Sequence, residues 1–241
     1  MSQAVTAIDY VGSELELFAH ARNWKRYFAS KVRAHLGADV LEVGAGIGET
    51  TRYLNPGDRN RWLCLEPDPQ LILQLRQTIA DGSIPGYCEA RQGTLDDFES
   101  DELFDSILYI DVLEHIENDR AELENAARHL KPGGKVIALS PAHQWLFTPF
   151  DQSIGHFRRY NKAMVRAITP ASLRCVQLRY LDSVGMLASM GNRFLLHSGM
   201  PNVKQIKLWD RAMVPFSKVL DPLLGYTVGK SVFAVWEKGS A

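Results

Sequence analysis

The chain of 241 residues carries 27 lysines and arginines against 28 aspartates and glutamates, and 46% of its residues are apolar. The balance gives no global field to draw nucleic acid or an anionic surface, while the apolar share is enough for a substantial core. The length excludes two full-sized domains and fits one α/β core with a smaller appended cap.

In chain order, Leu15 to Leu36 reads as a helix whose Phe18, Trp24, Tyr27, Phe28 and Val32 supply apolar surface. Val40 to Val43 is a short buried strand ending in Gly44-Ala45-Gly46-Ile47-Gly48, and Glu49 to Leu54 starts a helix. Trp62 to Leu65 is a second strand, closed by Glu66-Pro67-Asp68-Pro69, and Leu71 to Ile79 has helical spacing. Tyr87 to Gln92 is a weaker third strand, followed by Gly93-Thr94-Leu95-Asp96-Asp97. Phe104 to Ile110 is a fourth, leading into Asp111-Val112-Leu113-Glu114-His115. A helix capped by Asn118 or Asp119 runs to Leu130, where Lys131-Pro132-Gly133-Gly134 stops it, and Lys135 to Leu139 is a fifth strand. This β-α-β-α rhythm with short loops specifies a parallel sheet covered on both faces.

Beyond Ser140 the texture changes. Residues 141–160 form an aromatic-rich segment without clear period, expected to be a lid loop. A short helix from Asn161 to Ile168 and a sixth strand from Leu173 to Tyr180 follow. Residues 186–225 are a mostly helical cap, and Ser231 to Trp236 begins a final strand over 231–237. The whole reads as one domain over 1–241: an N-terminal helix within 1–37, a ligand-binding core over 38–142, the lid, the cap and the last strand.

The strongest motif is Glu42-Val43-Gly44-Ala45-Gly46-Ile47-Gly48 after a buried strand, because glycines let the chain turn tightly and a ligand approach the backbone. Glu66 ends the next strand about 20 residues on, the spacing at which a carboxylate meets the two hydroxyls of a ribose. The third glycine of a dinucleotide loop is replaced by Glu49, and Glu42 and Glu49 flank the loop with negative charge. That suits a ligand bearing an ammonium and a sulfonium rather than a diphosphate, which disfavours NAD.

Taken in order, VLEVGAGIGETT, WLCLEPDP, FDSILYIDVLEHIEND and LKPGGKVIALSPA resemble the successive motifs of class I S-adenosylmethionine-dependent methyltransferases from about residue 39 to 142. The resemblance implies a Rossmann-like seven-stranded, mostly parallel sheet with helices on both faces and the last strand antiparallel. It implies S-adenosylmethionine as cofactor. Carried over, Gly44, Ala45 and Gly46 would line its methionine part, and Glu42 would support that loop or the bound ammonium. Glu66, beside Pro67, would grip the ribose. Thr94 and Leu95 would frame the adenine, with Asp96 alongside, and Asp111 and Val112 would lie near the methionine amine and the sulfur. His115 is commonly found at its position in the family, and packing or capping explains it as well as chemistry does.

On the acceptor side His143, His156 and Tyr160 are candidate catalytic residues, the histidines as bases, and Arg158, Arg159 and Tyr160 are candidate contacts for an anionic or hydroxylated acceptor. The same segment also resembles one found in bacterial methyltransferases of this superfamily. In the cap, Ile206, Trp209, Met213 and Phe216 recur at helical spacing between Lys204, Lys207, Arg211 and Lys218. This reads as a pocket cover, kinked at Pro215, in preference to a membrane-interface helix.

The expected activity is methylation, of oxygen ahead of nitrogen or carbon, on a small or lipid-linked metabolite. A nicotinamide-dependent oxidoreductase and a turnover-incompetent cofactor-binding module are the alternatives. No nucleic-acid partner is expected, since no Asn/Asp-Pro-Pro-Tyr-like motif is present. No metal is expected either, because no histidine or carboxylate set shows ligand spacing along the chain. Cys64, Cys88 and Cys175 read as structural thiols in a reducing cytosol. The first residues lack a secretory pattern, and no apolar run is long enough to span a bilayer, so a cytoplasmic location is expected.

Overall fold

The computed structural model describes residues 17–55, 57–99, 101–191 and 202–239. The expected helix start near Leu15 and the middle of the cap lie outside them, and the continuous helix expected up to Leu36 is broken by a turn at residues 19–21, so that its main part begins at Arg22. Seven strands form one sheet: β1 (Asp39–Val43), β2 (Arg61–Glu66), β3 (Cys88–Gln92), β4 (Phe104–Ile110), β5 (Leu130–Pro141), β6 (Leu173–Leu181) and β7 (Ser231–Lys238). Their spatial order is β3-β2-β1-β4-β5-β7-β6. The first five run parallel, and β7 lies antiparallel between β5 and β6.

Alternation along the strands divides the core between the two faces. Val40, Trp62, Cys64, Leu108, Ile137 and Phe233 point to one face, and Leu41, Leu63, Ile107, Tyr109, Val136 and Trp236 to the other. The first face is covered by α1 (Arg22–Val32), α3 (Pro69–Ala80) and the cap, the second by α4 (Asp119–Arg128) and α6 (Lys162–Ala167). A short helix, α2 (Thr51–Leu54), follows the glycine loop. Asp68 starts α3 by accepting hydrogen bonds from the Gln70 and Leu71 amides, with Pro69 in the first turn. Asn118 and Asn161 cap α4 and α6 in the same way.

Two expectations need correction. Gly133 and Gly134 do not separate α4 from the fifth strand: β5 begins at Leu130 and carries them through a register shift opposite Phe104 to Ser106. At Gly134 a Cβ would stand 2.9 Å from the Lys131 carbonyl oxygen and 3.1 Å from that of Phe104, so the glycine permits a close backbone approach inside the strand. The lid also has structure of its own, a 3₁₀ turn over Gln144–Leu146 and a helix α5 (Pro149–Ser153) started by a Thr148/Asp151 capping box.

The cap comprises α7 (Ser183–Gly191), α8 (Val203–Leu208), a π turn (Trp209–Met213) and α9 (Val214–Leu223). Ile206 and Trp209 are buried as expected, whereas Phe216 is 66% exposed. The π turn inserts extra arc between Trp209 and Phe216, so uninterrupted helical spacing does not survive across it. Pro215 stands in the first turn of α9, where its missing amide is tolerated.

Three buried aspartates tie the cap to α1 and the sheet. Asp221 accepts from Tyr27 Oη at 2.7 Å and from the amides of Asp182 and Ser183 at 2.7 and 3.0 Å. Asp182 accepts from Trp209 Nε1 at 2.7 Å and Ser217 Oγ at 2.6 Å. Asp210 accepts from the Trp24 amide at 2.9 Å, beside the edge-on rings of Trp24 and Phe28. Replacing Asp221 with Ala strands two buried amides and a phenol. The variant should lose about 2–5 kcal/mol in denaturant unfolding, and Tyr27→Phe should lose only about 1 kcal/mol.

Candidate functional site

The strand order reverses between β1 and β4, and the loops leaving both strands meet at the carboxyl edge of the sheet, where open α/β sheets bind ligands. Contact across this crevice is close. A Cβ on Gly44, whose φ is +64°, would stand 2.7 Å from Val112 Cγ2. The glycine loop is pinned to the end of β2: the Ala45 amide donates to the Leu65 carbonyl at 3.0 Å, and the Gly46 amide donates to Glu66 Oε2 at 2.7 Å. The other Glu66 oxygen accepts from the Asp68 amide at 3.0 Å. Burial raises the Glu66 pKa, with the two amides opposing it. Glu66 thus braces the loop as well as standing where a ribose is expected. Pro67, just beyond it, is partly buried.

Glu42 points into the sheet. Its carboxylate accepts from Trp62 Nε1 at 2.9 Å, and burial pushes its pKa up to about 7 against the hydrogen bonds from Thr51 and Trp62. It holds the loop from beneath. Thr94 caps a 3₁₀ turn, Leu95–Asp97, through a capping box with Asp97. Leu95 is buried, and Asp96 accepts from Asn125 Nδ2 at 2.7 Å.

Asp111 leaves β4 with φ +55°, its amide donating to the Leu139 carbonyl at 2.7 Å. Asp111 is exposed at the mouth of the crevice, although protein atoms crowd round its carboxylate. That desolvation raises its pKa, while His156, Lys230 and Lys25 oppose the rise. Neither lysine stands out in the sequence. Lys25 projects from α1 toward Glu49 at 3.6 Å, and Lys230 lies 3.6 Å over the Trp209 ring just before β7. The crevice is therefore mixed in charge, with Lys25 and Lys230 near Asp111 and Lys25 also beside Glu49.

The lid residues separate into different roles. Tyr160 is 1% exposed and donates its hydroxyl to Asp119 Oδ2 at 2.7 Å; burial, then Asp119, raises its pKa far above the usual phenol range. This takes it out of reach of an acceptor and corrects its assignment as a catalytic or contact residue. Arg158 pairs with Asp119 at 2.6 Å and donates to the Ile116 and Glu117 carbonyls. Arg159 forks onto Asp151 with two bonds of 2.8 Å. Arg158 holds the lid to the core and Arg159 braces the lid internally, in place of the expected acceptor contact.

His143 sits at φ +68°, its Nε2 donating to the Gly229 carbonyl at 3.0 Å and its ring 4.7 Å from that of Tyr180. Burial lowers its pKa, so the imidazole is neutral at pH 7. His156 Nδ1 lies 3.0 Å from Asp151 Oδ1. Burial alone would raise the Asp151 pKa, but bonds from His156, Arg159 and Thr148 hold it below the usual carboxylate range. The His115 and His156 rings meet edge to face at 4.6 Å, and burial with the neighbouring His156 pushes His115 down to about 4. The 3₁₀ turn Leu113–His115 thus brings Glu114 and His115 against His156, a gathering that their spacing along the chain does not announce.

Residues 41–136 match the family model described as a methyltransferase domain. The mitochondrial ubiquinone biosynthesis O-methyltransferase of Dictyostelium discoideum is 27% identical over 121 residues, 45% of this chain and 37% of that protein. The ubiquinone/menaquinone biosynthesis C-methyltransferase UbiE of Shewanella woodyi is 26% identical over 140 residues, 56% of each. The chain therefore spans little more than half the length of these curated relatives at most. A coclaurine N-methyltransferase, solved with N-methylheliamine and SAH, shares the fold with a TM-score of 0.61 at 14% identity, covering 90% of this chain and 72% of that one. The stretch that matches the methyltransferase-domain model carries the glycine loop, Glu66 and Asp111.

Two outcomes follow from the geometry. Because the Glu42 pKa is raised from 4.5 to about 7, its stability penalty is absent below pH 4.5, grows between those values and is constant above pH 7. Glu42→Gln keeps an acceptor for Trp62, so thermal unfolding should show it gaining up to ~3 kcal/mol over the parent at pH 8 and almost nothing at pH 4.5. Gly44→Ala forces a methyl into Val112 at positive φ and should cost about 1–3 kcal/mol of stability.

Proposed function

We propose that the chain, built on this methyltransferase domain, transfers a methyl group from S-adenosylmethionine to an oxygen of a small, lipid-like acceptor. The observation that carries the cofactor half is the brace at the switch point, where one Glu66 carboxylate holds the Gly46 and Asp68 amides. The backbone of Gly44, Ala45 and Gly46 would then line the methionine part, with Glu66 beside the loop for the ribose. Ammonium recognition falls to Asp111 and the carbonyls around it, with Glu42 acting through the loop. The adenine would pack by Leu95, with Thr94 and Asp96 at its edge. When bound, the cofactor supplies an electrophilic methyl on a sulfonium.

The transfer is an in-line displacement. The acceptor oxygen forms a bond to the methyl carbon as the sulfur–methyl bond breaks, and S-adenosylhomocysteine leaves uncharged at sulfur. The chain's task is to align three atoms and exclude water, so positioning accounts for much of the rate. His156, held at Nδ1 by Asp151, is the better-placed base for an acceptor proton. His143 spends Nε2 on the Gly229 carbonyl and orients the lid instead.

For the acceptor, support comes from the quinone pathways named in the relatives and from the cap surface. Phe216, Val219, Leu220 and Leu223 of α9 are exposed, Leu223 by 76%, among exposed Lys207, Arg211 and Lys218. An outward apolar stripe with basic neighbours suits work on a substrate dissolved in a membrane. None of the helices among the described residues is long and apolar enough to cross one.

Calorimetric titration should give binding of S-adenosylmethionine and S-adenosylhomocysteine, none for NAD, and at least tenfold weaker binding in Glu66→Ala. Binding of NAD alone would overturn the reading in favour of an oxidoreductase. Labelled-methyl transfer to a prenylated ring hydroxyl, compared with the same ring lacking the prenyl chain, tests the acceptor. Equal rates would remove the lipid component, and label recovered on a ring carbon would move the reaction from oxygen to carbon. Sedimentation with anionic vesicles should weaken at least fivefold in Phe216→Asp/Leu223→Asp.

A further inference from the structure

Glu114 is wholly buried, and neither carboxylate oxygen makes a well-formed hydrogen bond, the donors at hand being the Ser140 hydroxyl and its own amide. Such groups are rare, because a buried polar atom without a partner costs the full loss of its hydration. The carboxylate does not stand alone. One donor atom each of Glu114, His115 and His156 lies within 4.8 Å of the others. Two imidazoles and a carboxylate are the donor set that binds divalent transition metals, in open zinc sites and in non-haem iron centres alike.

We propose that Glu114, His115 and His156 bind one divalent transition-metal cation of the zinc, iron(II) and manganese class. Ligand atoms about 2.1 Å from a common ion stand roughly 3–3.5 Å apart, so a small inward rotation of the side chains completes the set. The surroundings are those of a metal-binding histidine. His156 Nδ1 is held by Asp151, which is itself fixed by the Arg159 fork and by the Thr148 amide and hydroxyl. This leaves the Nε2 side of the ring for the ion, and an outer carboxylate of this kind sets ring orientation and raises ligand basicity. The lid and the 3₁₀ turn are also joined directly, the Phe157 amide donating to the Glu114 carbonyl at 2.8 Å. A protonated Glu114 serving only as core filling would account for its burial, but not for two imidazoles converging on it beside Asp111.

Three protein ligands leave coordination positions for water or an acceptor oxygen. An ion there would favour the oxyanion form of a hydroxyl acceptor. That role rests on the proposed methyl transfer, whereas ion binding does not. If an ion occupies the site, His156 acts as its ligand rather than as a base.

The test uses the whole protein, stripped with chelator and titrated with Co²⁺ as a spectroscopic probe and then Zn²⁺ in competition. Expected are one Co²⁺ per chain with visible ligand-field bands, displacement by Zn²⁺, and at least 100-fold weaker binding in Glu114→Gln and in His156→Ala. Each variant is titrated with S-adenosylhomocysteine in parallel, so that retained affinity certifies its fold and cofactor site. Absence of the bands in the parent protein, or bands and affinity unchanged in both variants, overturns the site. Co²⁺ binding without S-adenosylhomocysteine binding would instead keep the site and sink the methyltransfer reading.

Discussion

Backbone amides that leave a parallel sheet at its carboxyl edge must find acceptors, and this chain supplies them with buried carboxylates. Glu66 takes the amides of Gly46 and Asp68, joining the loop after one strand to the helix start after the next. Asp221 takes those of Asp182 and Ser183 where β6 ends. Asp151 does the same inside the lid, where it also collects a histidine and an arginine. Charged acceptors make stronger bonds than neutral ones, and in a low-dielectric interior they tolerate little displacement. The loops at this edge are accordingly set in place before any ligand arrives, which is the form of preorganisation that alignment chemistry needs.

A second constraint acts at the same edge. Asp111, His143 and Asp182 follow β4, β5 and β6 in turn, and each has a positive φ without being glycine. An L side chain pays for such a conformation, so it persists where neighbours fix it. Here the neighbours are identifiable: the Leu139 carbonyl for the Asp111 amide, the Tyr160 and Gly229 carbonyls for His143, and Asp221 for Asp182. The turn at Asp182 carries its side chain into the cap, against Trp209 and Ser217.

Much of this was legible in the sequence, for local reasons. Strands β1, β2 and β4 are apolar runs bounded by turn residues, and the glycine loop and Glu66 sit at fixed distances along the chain. Boundaries failed where the deciding contact is remote. Gly133 and Gly134 look like breakers until the Phe104 carbonyl fills the space beside them. The cap's apolar repeat holds through Trp209 but not to Phe216, since no sequence rule announced the π turn between them. Thr148 to Asp151 did carry a readable capping pattern, which makes α5 a missed signal rather than an absent one. Tyr160 looked available because Asp119, its partner, lies far away in sequence. The meeting of Glu114 and His115 with His156 is of the same kind, a product of the lid folding back over the edge of the sheet.

The cap enters and leaves the sheet at one point. Leu181 ends β6 and Ser231 begins β7, and the two are paired across adjacent antiparallel strands. Everything between them hangs from a hairpin position, so its length can change without shifting any strand register. A segment joined at such a position can be lengthened, shortened or replaced as a module while the strands on either side keep their places in the sheet.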